Sequence, residues 1–313
     1  QNQMAKDYPH ETSKTLMQVV MGKEIGAGKF RVFQARSIDQ KETFAVKLFP
    51  TTQSARSIYL HEKKIHSKLN HKNIIKYRHS SNIMTKDFNY DAILTEFAPY
   101  GNFYEIVVNR GLQNEKLIRT YFQQLVQGVE YLHRQNIGHL DLKLDNLLLG
   151  DDFELKIADF DQSQELTSTT MRARGTAFYR APEILERNCK NFKAADVYSM
   201  GIILFAFKAS NFPFYEEQDQ GSYKLVHYDL FMQDKEAFWQ EKAADKKNKS
   251  FFSEEFIELI NGMLEKDVNK RFSIEDIKKS RWYNGSTFTK EELKRNMERI
   301  SERLLFMKFS RKD

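Results

Sequence analysis

The 313-residue chain can bury a substantial core, and its 41% hydrophobic content with 25 phenylalanines excludes a mainly disordered protein. The formal net charge of +6 is small for this length, and basic residues are interleaved with acidic ones, so we expect no nucleic-acid partner. Cys189 is the single cysteine, which excludes an internal disulfide, and the polar N-terminus and short apolar runs predict a soluble cytoplasmic protein with no membrane partner.

The first hundred residues are predicted to be rich in strands. Residues 1–18 are expected to form a polar leader, after which short β-rich stretches at 19–21 and 44–49 flank a glycine pair. Residues 54–69 carry apolar side chains among charged ones, which predicts one helix. A further strand is predicted at 92–97, where a Pro-Tyr-Gly sequence follows and breaks it.

After residue 101 the sequence pattern becomes helical. Between residues 117 and 132, apolar side chains recur at intervals of three and four residues, so they lie on one face of a helix. Because the strands come first and the helices afterwards, the sequence predicts an α+β fold. We expect a small β-rich lobe joined to a larger helical lobe.

The octet HLDLKLDN at 139–146 contains residue types that phosphoryl transfer from ATP needs. That reaction requires a carboxylate facing the acceptor hydroxyl, a cation on the moving phosphate and oxygen ligands for Mg²⁺. Asp141 supplies the carboxylate and Lys143 supplies the cation. Asn146 and Asp159, the latter in the Asp-Phe-Asp sequence thirteen residues further on, supply the metal ligands.

In order and spacing these motifs resemble those of eukaryotic protein kinases, over about residues 19–284. The segment GTAFYRAPE at 175–183 resembles the substrate loop of serine/threonine kinases, and the nearest group is the calcium/calmodulin-dependent-like one. The resemblance implies a bilobal fold with an N-lobe at 19–95, a hinge at 96–101 and a C-lobe at 102–284. It also implies a serine/threonine protein kinase that uses ATP and Mg²⁺ to phosphorylate protein substrates.

The same resemblance assigns roles in the nucleotide cleft. Lys47 is expected to hold the α- and β-phosphates and Glu62 to pair with it, although Glu62 could instead be a solvated helix charge. Phe33 is larger than the valine usual there, so it either stacks on the adenine or crowds it. Thr176 is expected near Asp141, where it helps to place the acceptor hydroxyl. The expected nucleotide-binding residues are Gly26, Gly28, Phe33, Ala45, Lys47, Glu62, Thr95, Glu96, Ala98 and Leu148.

His139 has two alternative roles. It could be a catalytic base, but the resemblance favours a structural histidine packed with Phe160 in an internal spine that Asp196 anchors. The upper positions of this spine correspond to His66 and Tyr77, which are more polar than the aliphatic residues usual there. None of the eight histidines has metal-ligand spacing with carboxylates or cysteine, so we predict no histidine metal site.

Three residues depart from the kinase pattern. Arg31 replaces a glycine over the phosphates and Asp161 replaces the last glycine of Asp-Phe-Gly; we expect these opposite charges to face each other. Leu140 replaces the arginine that receives an activation-loop phosphate, so we expect no requirement for loop phosphorylation. The hydroxyls available in that loop are Ser163, Thr167, Ser168, Thr169 and Thr170. Together with Phe33, these departures keep open an alternative, a pseudokinase that acts as a scaffold or structural component, with or without nucleotide binding.

Two further expectations concern the large lobe. Asp145 is retained at a position that holds basic substrate residues, but Asn102 and Ala206 stand where related kinases often have glutamate. This predicts only a weak preference for arginine upstream of the acceptor. Glu183 and Arg271 correspond to the buried ion pair of the family, whose role is structural.

The C-terminal segment 285–313 is predicted to be a basic amphipathic helix. Thr289 and Glu292 form a capping-box signature, after which apolar residues recur at steps of four and three. The apolar positions are Leu293, Met297, Ile300, Leu304 and Met307. A helix at 289–309 could bind a calmodulin-like or other partner, act as an autoinhibitory segment, or pack on the large lobe.

Overall fold

The fold is α+β and bilobal, as the sequence predicts. A computed structural model describes residues 19–84, 89–109, 111–112, 114–168, 177–219, 222–244, 246 and 250–310. A small lobe built on one antiparallel sheet precedes a larger helical lobe. No helix in the described part of the chain is long and apolar enough to cross a membrane.

The small lobe is a five-stranded antiparallel sheet with the order β1-β2-β3-β5-β4. Its elements are β1 (Val19–Ala27), β2 (Arg31–Ser37), β3 (Thr43–Pro50), α1 (Gln53–His66), β4 (Tyr77–Met84) and β5 (Asn89–Glu96). The predicted strands and the predicted helix are therefore present, with α1 beginning one residue earlier and ending three residues earlier than expected. The Thr52 side chain accepts a hydrogen bond from Ala55 N and so fixes the start of α1.

Strand β3 and helix α1 carry the small-lobe residues that matter for the cleft. Alternation along β3 buries Phe44 and Val46 on one face, so Lys47 lies on the opposite face. On α1 the buried positions include Glu62, which is therefore turned towards the sheet. Leu60, one of the apolar residues that suggested this helix, is 52% exposed and does not belong to the core.

The large lobe packs around two long helices, α3 (Glu115–Arg134) and α5 (Phe192–Ala209). Almost every residue of α5 is buried, as expected for a helix at the centre of a lobe. The other helices are α2 (Phe103–Val108), α4 (Pro182–Leu185), α6 (Tyr228–Gln233), α7 (Lys235–Ala244), α8 (Glu254–Met263), α9 (Ile274–Lys279) and α10 (Lys290–Ser310). The short strands are β6 (Ile137–Gly138), β7 (Leu147–Leu149), β8 (Leu155–Ile157), β9 (Gln164–Glu165), β10 (Tyr215–Asp219) and β11 (Ser222–Val226).

Helix α10 packs on the large lobe over its first half. Its predicted capping box is present: Thr289 N donates to Glu292 Oε2 at 2.9 Å, and Glu292 N donates to Thr289 Oγ1 at 3.2 Å. Leu293 and Met297 are buried in the core of the lobe. Lys116 of α3 adds an ion pair with Glu292 at 3.1 Å. These contacts favour the packing alternative for residues 290–300.

Candidate active site

The cleft between the lobes is centred on Lys47. It lies in the middle of β3, opposite Val32 of β2 and Ile93 of β5. Its Nζ is 2.8 Å from Glu62 Oε2 and 2.6 Å from Asp159 Oδ1. The structure thus brings together the predicted lysine, helix glutamate and Asp-Phe-Asp aspartate. Glu62 is 3% exposed, so the alternative of a solvated charge is wrong.

The three charged groups shift each other's pKa values strongly because they are in direct contact and because Lys47 and Glu62 are largely shielded from water. Burial alone would lower the pKa of Lys47, but the charges of Asp159 and Glu62 outweigh burial and raise it well above its ordinary value. Burial raises the pKa of Glu62 to about 7, and the Lys47 charge offsets only part of that rise. For Asp159 the Lys47 charge outweighs burial, so its pKa is lowered. One ammonium group therefore holds two carboxylates and keeps α1 against the cleft.

The loop between β6 and β7 presents Asp141 to the cleft. Lys143 Nζ lies 2.8 Å from Asp141 Oδ2, and Asn146 Nδ2 donates to the same oxygen at 3.1 Å. Asn146 Nδ2 also donates to the Asp141 carbonyl at 2.9 Å. Burial raises the pKa of Asp141, and Lys143 opposes that rise. A carboxylate fixed in this way can accept a proton from a substrate hydroxyl that lies within hydrogen-bond reach.

Asp196 of α5 anchors this loop through its backbone. Its two carboxylate oxygens accept hydrogen bonds from His139 N at 2.9 Å and from Leu140 N at 2.8 Å. His133 Nε2 bonds the same carboxylate at 2.9 Å. Leu140 has a φ of 63°, a left-handed conformation that is unusual for a branched residue and that these bonds hold in place. The predicted anchoring role of Asp196 is therefore confirmed.

The predicted spine is also present, and His139 belongs to it. The His139 ring centroid is 5.3 Å from that of Phe160, which is 4.6 Å from that of His66. His66 in turn lies 5.6 Å from Tyr77, so the four side chains connect the two lobes. His139 Nε2 donates to the Ala158 carbonyl, and its Nδ1 accepts from Asp141 N. Both ring nitrogens have structural partners, which excludes the catalytic-base alternative.

Asn146 and Asp159 are suited to bind a divalent cation. The Asn146 amide nitrogen makes its bonds to Asp141, so its amide oxygen is the atom left to bind a metal. Ala158 N donates to the Asn146 carbonyl at 2.9 Å, which places Asp159 beside it. The Asp159 side chain is 34% exposed and has a second oxygen besides the one that Lys47 bonds. Two oxygen donors on neighbouring segments fit Mg²⁺, with phosphate and water oxygens as its further ligands.

The glycines of the β1–β2 turn are not explained by packing within the chain. A Cβ atom added at Gly28 would meet no other atom within 4 Å, and one at Gly26 would make ordinary contact with Val32. Close approach of a phosphate to the backbone is a reason for glycine that this open space permits. Phe30 in the same turn packs inward against Phe49, with ring centroids 4.6 Å apart.

The predicted pairing of Arg31 with Asp161 is wrong. Arg31 makes two hydrogen bonds to Glu24 on the neighbouring strand, at 2.6 and 3.1 Å, and its guanidinium lies 4.8 Å from the Phe33 ring centroid. The cation that faces Asp161 is Lys29, with 3.9 Å between Nζ and Oδ2. Arg31 therefore stiffens the β1–β2 hairpin, and the turn reaches the Asp-Phe-Asp segment through Lys29.

The residues predicted to surround the adenine line the gap between the lobes. Ala45 of β3 is opposite Thr95 of β5, and both are half-buried, as are Ala98 in the connecting segment and Leu148 of β7. The Glu96 carboxylate accepts a hydrogen bond from Lys76 N at 2.9 Å, so its backbone is held at the end of β5. The small side chain of Ala45 on the small-lobe side and Leu148 on the large-lobe side leave room for a flat base between them.

The activation segment is only partly described. Thr176, the expected substrate-placing residue, lies outside the described residues, as do Thr169 and Thr170. The expected pair of Glu183 and Arg271 is present and buried, with N–O distances of 2.5 and 3.0 Å. This bidentate contact ties the end of the segment to the base of the large lobe.

Several contacts at the root of that segment were missed in the sequence. His61 Nε2 donates to the Ser163 carbonyl at 2.6 Å, and Lys64 pairs with Glu165 at 3.0 Å. The Ser163 side chain is fully buried and donates to the His139 carbonyl at 3.2 Å, so it is a structural residue and not an accessible phosphorylation site. No spacing rule links residues about a hundred positions apart, and only the folded chain shows that α1 rests on this segment.

Comparison with known proteins agrees with this geometry. A family model described as the protein kinase domain matches residues 19–283. This chain belongs to the protein kinase family. Serine/threonine-protein kinase SRK2B of Arabidopsis thaliana is 32% identical over 266 residues, which is 83% of this chain and 70% of that protein. CBL-interacting protein kinase 28 of Oryza sativa subsp. japonica is 30% identical over 283 residues, or 87% of this chain and 60% of that protein.

CBL-interacting serine/threonine-protein kinase 7 of Arabidopsis thaliana is 29% identical over 281 residues, which is 87% of this chain and 61% of that protein. This chain therefore spans about 60% of the length of these two CBL-interacting relatives. Use of ATP and Mg²⁺ is general among protein kinase domains, and the cleft of this one offers groups of the right chemistry for both.

Proposed function

We propose that this chain is a serine/threonine protein kinase that transfers the γ-phosphate of Mg-ATP to hydroxyl groups of protein substrates. The observation that carries the proposal is the contact of Lys47 with both Glu62 and Asp159, at 2.8 and 2.6 Å. This contact requires α1 and the Asp-Phe-Asp segment to be in place at the same time. Both arrangements are what phosphoryl transfer by a kinase demands.

In the proposed reaction ATP would supply the phosphoryl group, and Mg²⁺ would neutralise part of its negative charge. The acceptor oxygen forms a bond to the γ-phosphorus while the bond from that phosphorus to the bridging oxygen of ADP breaks. The hydroxyl proton passes to the free carboxylate oxygen of Asp141, because Lys143 and Asn146 occupy Oδ2. Lys143 also lies beside the transferred group and stabilises its charge. Lys47 would orient the α- and β-phosphates, and Asn146 and Asp159 would hold the metal.

A pseudokinase that acts only as a scaffold is the less supported alternative. None of the three departures from the kinase pattern removes a catalytic group. Arg31 bonds Glu24 and Asp161 faces Lys29, and Lys47 keeps its contacts with Glu62 and Asp159. Leu140 is buried, and its backbone is held as described above. These arrangements support catalysis.

The proposed organisation is a leader at 1–18, a kinase domain at 19–284 with its hinge at 96–101, and a C-terminal helix at 285–313. Burial of Leu293 and Met297 argues against wrapping of the whole helix by a calmodulin-like protein. Two of the relatives reported above are named CBL-interacting. We therefore propose that a protein partner contacts the part of the 289–309 helix that does not pack on the large lobe. We place the protein in the cytoplasm, with no nucleic-acid or membrane partner.

The proposal is tested by nucleotide binding and by transfer. Thermal unfolding is followed with ATP in the presence and absence of Mg²⁺, for the parent and for Asp159→Asn. At about 100 times the dissociation constant, bound nucleotide should stabilise the parent by about 2.7 kcal/mol, and the Mg²⁺-dependent part should vanish in the variant.

Transfer is measured on peptides that differ only in having serine, threonine or tyrosine as the acceptor. Labelling of serine and threonine peptides, with little label on tyrosine, supports the proposal. Binding of Mg-ATP without transfer to any peptide or protein would instead support the scaffold.

A further inference from the structure

Arg180 is a half-buried residue whose positive charge the mechanism does not use. It lies between Tyr179 and the first turn of α4. Its Nε and Nη2 atoms are buried, and neither makes a hydrogen bond in the structure of the described residues. Burial lowers the pKa of Arg180, and the negative charge of Asp141 offsets this only in part. A guanidinium remains charged at physiological pH, so burying one without an anion is unfavourable.

The backbone on both sides of Arg180 is fixed. The Tyr179 carbonyl accepts a hydrogen bond from Ser199 Oγ at 2.8 Å, and the Tyr179 hydroxyl accepts one from Leu144 N at 3.4 Å. Ala181, the next residue, is fully buried and is the N-cap of α4. Because both neighbours are anchored to the large lobe, the Arg180 Cα is held in place, and its partly exposed side chain must meet an anion where it lies.

The acidic residues close to Arg180 are already committed to other cations. Asp141, whose charge acts on Arg180, bonds Lys143. Glu183, three residues further along the chain, makes its two bonds to Arg271. An anion that completes the Arg180 site must therefore come from elsewhere. Tyr179, which directly precedes Arg180, accepts a hydrogen bond from Leu144 in the loop that carries Asp141, so the site lies near the acceptor hydroxyl of the proposed reaction.

We propose that Arg180 binds a carboxylate or phosphate group carried by the protein substrate within three residues of the acceptor hydroxyl. The inference rests on the proposed kinase function and adds to it a class of substrate, one that is acidic beside the acceptor. Arginine suits this role because its planar fork makes two parallel bonds to a carboxylate or phosphate. Such a residue sets specificity without taking part in the chemistry.

The experiment uses pairs of serine peptides in which glutamate or phosphoserine replaces glutamine at each position from three before to three after the acceptor. Peptide dissociation constants are measured by fluorescence anisotropy, and kcat/KM is measured by phosphate transfer. The chains compared are the parent, Arg180→Met, Arg180→Glu and the control Arg36→Met, which removes an exposed arginine of β2. Every chain is tested with and without phosphatase treatment.

We expect the parent to prefer the acidic member of at least one pair by about tenfold, the effect of one charge-assisted hydrogen bond. The preference should fall to about onefold in Arg180→Met, reverse in favour of the glutamine peptide in Arg180→Glu, and persist in Arg36→Met. Absence of any acidic preference in the parent, or its persistence in Arg180→Met, overturns the inference. It is also overturned if phosphatase treatment weakens the parent but not Arg180→Met, because the anion then belongs to the chain itself. Peptide binding, measured by anisotropy, tests the role of Arg180 even if no phosphate is transferred. Failure of phosphate transfer alone counts against the proposed kinase function.

Discussion

Replacing His66 with glutamine tests whether the spine histidine is held in its neutral form. His66 is 1% exposed, and its Nε2 donates to the Ile75 carbonyl at 2.7 Å. Its Nδ1 is buried and makes no hydrogen bond within the described residues, so a proton added there would be left without a partner. Burial lowers the pKa of His66 to about 4 from its ordinary value of 6.5. Glutamine can keep the donor to Ile75 but cannot be protonated.

The sign of the effect follows from proton binding. Below pH 6.5 the unfolded chain takes up a proton at residue 66 that the folded chain refuses until about pH 4, so folding becomes less favourable as the pH falls. The linkage relation with these pKa values gives a loss of about 2 kcal/mol between pH 8 and pH 5, and about 3 kcal/mol below pH 4. This contribution is fully present above pH 6.5.

Urea unfolding of the parent, His66→Gln and the control His79→Gln is measured at several values between about pH 8 and pH 5. The free-energy difference between the parent and His66→Gln should change by about 2 kcal/mol across that range, in favour of the variant at low pH. His79→Gln controls for the loss of a histidine outside the spine. Parallel pH profiles for the parent and His66→Gln would refute the argument that His66 is buried and neutral.

Three other outcomes are expected. Arg271→Met should lower the free energy of unfolding by about 3–5 kcal/mol, because Glu183 stays buried without its partner, and methionine at both positions should recover part of this loss in urea unfolding. Phosphatase treatment should leave turnover within a few-fold of the untreated protein, since Leu140 cannot bind a phosphate; a loss of about two orders of magnitude would show that another cation does so. Lys29→Met should change the KM for ATP by up to about fivefold with little effect on unfolding, because Lys29 is half-exposed and its 3.9 Å pair with Asp161 contributes about 0–1 kcal/mol; an unchanged KM together with lower stability would contradict this.

Much of the cleft could be predicted from the sequence because each of its groups needs a particular partner. Lys47 and Glu62 were expected to pair, and the structure places them 2.8 Å apart. His139 was expected to be structural, since Asp196 and Phe160 would hold it, and both contacts are present. These predictions depend on motif spacing, which fixes the order of strands and loops and therefore which side chains meet.

Other features depend on side-chain directions that spacing does not define. Arg31 was expected to reach Asp161, but on β2 it lies beside Glu24 of β1, and the cross-strand pair forms instead. The β10–β11 hairpin was not predicted, because its sequence lacks a long apolar alternation. Arg180 stands within a motif whose other residues have structural roles, and only the burial of its Nε and Nη2 atoms without a hydrogen-bond partner distinguishes it.

The most direct measurement for the central claim is transfer of labelled phosphate from Mg-ATP to a serine peptide by the parent, Asp141→Asn and the control Asp151→Asn, which changes an exposed carboxylate. Nucleotide-dependent thermal stabilisation is measured in parallel. Loss of the proton acceptor should abolish turnover in Asp141→Asn while nucleotide binding stays near that of the parent, and Asp151→Asn should behave as the parent. Equal turnover in Asp141→Asn and the parent would contradict the assignment of Asp141 as the base.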